Sequence, residues 1–238
     1  MVIASGWLAA MSAAGCVDPQ SGAVTRGWCK AVDTQAVLVL DDMEDGDGAA
    51  CEKKGRWSVR GMGVLRPTVG PLGEAANLEG DDLVKRAPSV RAMHLSAELE
   101  AGGWISLFLA LDSENLSQFV EIQVWGRSDA GDLTLRANVA TVATTEIAQG
   151  GTCDPGLGAC GDHFGEPSFE LSETWGATGN PNSIALMGIT QVGFGQAVPR
   201  DFTQTLGIEF RFTGPADAAT PTFGFWIDDV QVKGAPPQ

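Results

Sequence analysis

The chain has 238 residues, with 30 Asp and Glu against 15 Lys and Arg and a formal net charge of -15 at pH 7. A phosphate-binding surface needs clustered Lys and Arg, and no basic cluster occurs, so composition argues against nucleic acid as a partner. The length suits one large domain with a sizeable core, and 31 glycines punctuate a chain in which no stretch sustains a helical period.

Residues 1–15 are small and apolar and run into Cys16. They are too short to span a bilayer as a helix, and they resemble the end of a bacterial lipoprotein signal peptide, although a positively charged start is missing. Acylation at Cys16 with Val17 following it would, by resemblance to known sorting, place the protein at the outer membrane or cell surface. Residues 16–35 carry no period and read as a tether to a domain over 36–234, with 235–238 as a tail; no membrane span is expected after residue 16. With Cys16 set aside, the four remaining cysteines pair by proximity as Cys29 with Cys51 and Cys153 with Cys160. The chain-entropy model gives these loops about 3.4 and about 2.5 kcal/mol. The alternative is a zinc site of Cys153, Cys160 and His163, which lacks a nearby fourth ligand because His94 is far away in sequence.

In chain order, the first strand is expected at 36–40, a continuous apolar run, followed by a short strand at 55–59. Residues 61–80 are rich in Gly and Pro and read as loop. Strands follow at 93–99, where Met93, Leu95, Ala97 and Leu99 oppose His94, Ser96 and Glu98, then at 104–111, 119–125 and 133–141. Later strands fall at 168–171, 184–189, 206–212 and 223–232. Many period-two strands separated by turn signals define an all-β, antiparallel sandwich or barrel.

Two acidic clusters stand out. Asp41-Asp42-Met43-Glu44-Asp45-Gly46-Asp47 follows the first strand, and Asp228-Asp229 interrupts the apolar, β-prone last strand, where carboxylates are costly unless donors or a cation receive them. If first and last strands pair, the clusters converge on a site with hard oxygen ligands for a structural calcium.

The segments Leu40 to Asp47, Asn115 to Trp125, Gly151 to Gly165, Gln191 to Gly195 and Trp226 to Val230 occur in an order that resembles the galactose-binding-like jelly-roll domains related to carbohydrate-binding modules, in the version found on myxobacterial-like secreted proteins and lipoproteins. The resemblance implies two sheets with adjacent first and last strands, and a structural calcium held by Glu44 and one of Asp228 or Asp229. Charge clustering adds Asp47. Residues 176–182 depart from the family pattern, which bears on the neighbouring loop.

Sugar binding needs an aromatic face and planar polar side chains. The stripe Glu121, Gln123, Trp125 supplies both, with Arg136 and Asn138 joining if their strands are neighbours, and with His94 beside them; the alternative is that Trp125 packs under a loop. Asp162-His163 could suggest acid/base work, but no nucleophile is placed by a recognisable motif. The expected function is therefore non-catalytic, extracytoplasmic binding of a polysaccharide or glycan. The rival is a structural or adhesive surface protein that binds protein partners or itself.

Overall fold

Alternation of apolar and polar residues builds the strands. The computed structural model describes residues 29–30, 37–41, 43, 56–69, 76–80, 85, 89, 91–165, 168–177 and 179–235. These form β1 (Cys29–Lys30), β2 (Val37–Asp41), β3 (Arg56–Val69), β4 (Ala76–Asn77), β5 (Arg91–Glu114), β6 (Phe119–Ser128), β7 (Leu133–Thr141), β8 (Ser168–Leu171), β9 (Asn182–Ala185), β10 (Thr205–Thr213) and β11 (Thr220–Gly234). Every strand pairing is antiparallel.

Two strands are longer than the sequence pattern suggests. The runs at 93–99 and 104–111 are the two halves of β5, a single strand of 24 residues, and the expected loop at 61–80 is strand as far as Val69, where β3 accompanies β5 along both halves. The Gly and Pro content that argued for a loop has a different cause. Beside the bend between the halves, a β-carbon on Gly61 would lie 2.9 Å from the carbonyl oxygen of Trp104, and one on Gly103 would lie 3.0 Å from those of Met62 and Gly63, so glycine on both strands permits them to close up. Among the described residues β5 is the one strand partner of β3, and an edge strand tolerates Pro67.

The bend makes two layers. The first half of β5 pairs with β11, which pairs with β6 and through it with β9. The second half of β5 pairs with β10, followed by β7 and β8. The first strand of the pattern, β2, lies beside the last, β11, with Asp41 opposite Val230. Between the layers Leu95, Leu107, Leu109, Ile122, Val124, Leu135, Val139, Ile208, Phe210, Phe225 and Ile227 are fully or almost fully buried in one core. This is an antiparallel β jelly roll whose long shared strands bring it close to a barrel.

Candidate functional site

Because inward residues alternate with outward ones, the second layer presents a defined outer face. Ile208 and Phe210 point into the core, which turns Glu209 and Arg211 outward on β10. Register then places Ser106 opposite both Arg60 and Arg211, and Phe108 and Asn138 opposite Glu209. The outer face is not open. Residues 142–165 and 189–196 fold over it, joined to the sheet through the Val139–Phe164 bridge and to each other through Phe164 and Gln191. The expected Cys153–Cys160 disulfide is present, with Cα atoms 5.8 Å apart, and it ties off the covering loop.

Between sheet and loops lies a cavity of about 490 Å³. Its floor is Arg60, Trp104, Glu209 and Arg211; its walls are Thr145, Glu146, Gln149, Cys160, Gly161, His163 and Phe194. Glu209 is buried, yet every oxygen is received: Ser106 Oγ and Arg211 Nη2 donate to Oε1 at 2.7 and 3.0 Å, and Asn138 Nδ2 donates to Oε2 at 2.7 Å. Desolvation opposes its charge, but Arg211 and these donors outweigh it and hold its pKa below the ordinary value. His163 Nδ1 lies 2.9 Å from Thr144 Oγ1. Desolvation, with Arg211 and Arg60 adding to it against the pull of Glu209, lowers the imidazole pKa to about 4, so the ring is neutral at pH 7.

Two aromatic side chains face this cavity from different elements. Trp104 stands on β5 with the Arg211 guanidinium 4.1 Å from its ring centroid. Phe194 is 57% exposed at the tip of the 191–196 loop. That tip is shaped by Asp162, a buried carboxylate that accepts the backbone N–H groups of Val192, Gly193 and Gly195 at 3.0, 2.9 and 3.0 Å.

The sequence-predicted residues divide between the two layers. Glu121, Gln123, Trp125 and His94 share the outer face of the first layer. There Ser183 Oγ and Gln123 Nε2 donate to Glu121 at 2.5 and 2.7 Å, and Gln231 Nε2 donates to Gln123 at 2.8 Å. His94 stacks on Trp226 with centroids 4.1 Å apart, and both bond to Asp129, at 2.8 and 2.7 Å. Trp125 packs with Trp175 beneath the turn that contains Gly176, where a β-carbon would come within 2.8 Å of the indole. Arg136 and Asn138 do not join this stripe: β6 pairs with β11 and β9, whereas β7 pairs with β10 and β8. Asn138 instead holds Glu209 in the other layer.

The residues that sequence reasoning missed are Arg60, Trp104, Glu209, Arg211 and Phe194. One signal was available: Glu209 and Arg211 lie two apart on the polar side of a strand pattern, as do Arg136 and Asn138 on the strand that proves to be its neighbour. Arg60 fell between the short strand expected at 55–59 and the loop expected from 61, and Phe194 sits on an irregular loop with no period to read.

Among the metal expectations, Asp228 is fully buried and its Oδ1 accepts the N–H of Asp229 at 2.9 Å. Asp41 Oδ1 and Oδ2 receive Met43 N–H and Trp57 Nε1, both at 2.7 Å. Met43 and Asp229 have φ of 61° and 47°, unusual for residues with a side chain, at the place where first and last strands meet. Glu44, Asp47, Cys51 and Cys16, together with the Cys29 side chain, lie outside the described residues. The cysteine-rich zinc alternative fails, since Cys153 and Cys160 are bonded to each other and offer no thiolates. Asp162 is occupied by the 191–196 backbone, so it does not orient His163 for acid/base chemistry.

Fold and face together define a jelly roll with a roofed cleft on one sheet. No protein-family model matches the chain, and no curated protein matches it. Among solved structures it is similar to a family 11 carbohydrate-binding module from Clostridium thermocellum, in complex with a β-1,3-1,4-mixed-linked tetrasaccharide, with a TM-score of 0.56 at 13% identity over 85% of this chain and 98% of that one. It is also similar to the family 11 module of the cellulosomal cellulase Lic26A-Cel5E of Clostridium thermocellum, with a TM-score of 0.53 at 14% identity over 84% and 95%. At such identities the likeness shows the jelly-roll fold.

Proposed function

We propose that this chain is a non-catalytic carbohydrate-binding module that takes its glycan in the cleft above β3, β5 and β10. The observation that carries the reading is the pairing, in one cavity of about 490 Å³, of the Trp104 and Phe194 rings with the planar polar groups of Arg60, Arg211 and Gln149. Pyranose rings present C–H faces to aromatic rings and hydroxyls to planar donors and acceptors, and both are supplied here. Glu209 is saturated by its partners and kept ionised, which suits it to fixing the floor of the cleft rather than to transferring a proton. The similar modules of known structure add to the reading, one of them holding a tetrasaccharide. A glycan array followed by titration calorimetry tests it: binding that is lost in Trp104→Ala supports the reading, and a blank array with the folded protein turns attention to the adhesive alternative.

The same proposal includes a structural calcium and an extracytoplasmic, lipid-anchored location. For calcium the support is the meeting of β2 and β11 beside Asp228 and Asp229, whose hard oxygens suit the ion. A melting temperature that is the same with calcium and with a chelator ends that part. For location the support is the apolar run into Cys16 and the Cys153–Cys160 disulfide, a bond that persists in oxidising compartments. Radiolabelled fatty acid that fails to incorporate in a Cys16-dependent way removes the anchor.

A further inference from the structure

The cleft holds more cationic donors than its own carboxylate uses. Arg60 lies with its guanidinium 3.4 Å from the Phe108 ring centroid, and among the described residues it has neither a hydrogen bond nor an ion pair. The Arg211 guanidinium carbon lies 4.1 Å from the Trp104 ring centroid and its Nη2 donates to Glu209, while its Nε is buried without a hydrogen-bond partner. Both lie opposite Ser106, one on each side of β5, and both line the cavity. A guanidinium presents its N–H donors as a planar fork that can receive two oxygens of a carboxylate or sulfate. Glu209, the buried carboxylate two positions before Arg211 on β10, already accepts Ser106, Asn138 and Arg211. The buried Arg211 Nε is a donor without a partner, which is costly, and a ligand anion that reaches it would remove that cost.

Resting on the carbohydrate-binding reading, we infer that the glycan is an acidic one, whose carboxylate or sulfate group is received by Arg60 and Arg211. The net charge of -15 does not oppose this at close range, because exposed charges farther away than about 8 Å are screened at physiological ionic strength. It does favour a chain with spaced acidic groups over a dense polyanion. Glu209 being already received by its own partners, the opposing charge at the cavity is Glu146 on the wall, half-buried at the position just before the 3-10 turn Ile147–Gln149. Its removal therefore has the opposite effect from removal of Arg60.

The test is titration calorimetry of the full chain with four oligosaccharides of equal length: a galacturonan, its neutral methyl ester, a sulfated galactan and a neutral mixed-linked glucan. The expected result is binding of the galacturonan or the sulfated galactan about tenfold or more above the two neutral chains, the two acidic arms showing which anion is preferred. Arg60→Gln abolishes the preference, Arg60→Lys retains part of it, and Glu146→Gln strengthens acidic binding about two- to threefold. Comparison with the methyl ester uses unaltered protein, so a variant that fails to fold does not remove the test. Neutral chains bound as tightly as acidic ones overturn the acidic inference and leave the carbohydrate reading standing. No binding of any of the four, nor of any other glycan on an array, overturns both.

Discussion

The Phe108 ring lies directly against Gly207, so close that a β-carbon on the glycine would come within 2.3 Å of Phe108 Cζ and 2.7 Å of the Leu109 carbonyl oxygen. On that ring rests the Arg60 guanidinium. The missing side chain on β10 thus positions a cation on β3, two strands away. Gly207→Ala is expected to cost about 1–3 kcal/mol through overpacking, since part of the clash is with backbone, and to weaken ligand binding as Arg60 shifts. Denaturant melts and calorimetry check the two effects; a variant as stable as the parent and equal in affinity would disconnect Gly207 from the cleft.

His163 gives the fold a defined acid sensitivity. Its pKa is about 4 in the folded chain against an ordinary 6.5, so between those pH values the unfolded chain binds a proton that the folded chain does not. Stability therefore falls as pH drops from 6.5 to 4, by on the order of 3 kcal/mol for the full shift. Glu209, lowered from its ordinary value, adds a further loss as pH falls through its folded pKa, below the usual carboxylate range. In His163→Gln the first loss disappears and the second stays. Melting temperature measured across pH 3–8 shows this as a flatter slope above pH 4; an unchanged slope places the sensitivity elsewhere.

Strand alternation carried most of the fold. The expected strands at 133–141 and 168–171 coincide with β7 and β8, and those at 119–125, 206–212 and 223–232 lie within β6, β10 and β11, because each buries one face and so shows period two. Where local composition and tertiary pairing disagree, the pattern misleads. Gly61, Gly63 and Pro67 weaken a strand considered alone, yet β5 supplies a full-length partner to β3. The run at 184–189 likewise divides into β9 and the 3-10 turn Leu186–Gly188. The aromatic and polar side chains expected of a sugar site were visible, but which of them share a face depends on strand order. Arg136 lies on the layer of the cleft and Trp125 on the other, and no periodicity distinguishes them. A reader of the sequence also sees Phe194 as one more loop residue, since its exposure is set by hydrogen bonds from residues 192–195 to a carboxylate about 30 positions earlier.

The disulfide links stability to the cleft. Cys153 and Cys160 close a short loop, seven positions apart, for which the chain-entropy model gives about 2.5 kcal/mol, or a melting temperature lower by roughly 5–10 °C on reduction. Cys160 and Gly161 line the cavity, and Gly161 N–H is bonded to Thr144 O at 2.9 Å, so the same loop forms the wall. Cys153→Ala with Cys160→Ala is expected to lower ligand affinity as well as melting temperature. A double variant that melts lower and binds with full affinity would show that the wall keeps its shape without the bond.

Asp162 and Phe194 make the sharpest separation between holding the fold and holding the ligand. The Phe194 ring is 57% exposed, so Phe194→Ala removes little buried area and is expected to shift the melting temperature by no more than about 2 °C. As a stacking surface it is expected to contribute about 1–2 kcal/mol to binding, which Phe194→Ala shows as a roughly 5- to 30-fold weaker affinity. Asp162→Asn keeps the Phe194 side chain but turns one acceptor into a donor facing the N–H groups of Gly193 and Gly195 or Val192. That change releases the loop tip, so it lowers both melting temperature and affinity. Calorimetry and thermal melts on the two variants side by side give the decision: affinity lost without stability in Phe194→Ala, and both lost in Asp162→Asn, identify the ring as the ligand contact and the carboxylate as its support. Full affinity in Phe194→Ala would remove the loop from the cleft's binding surface, leaving Trp104 as its aromatic side.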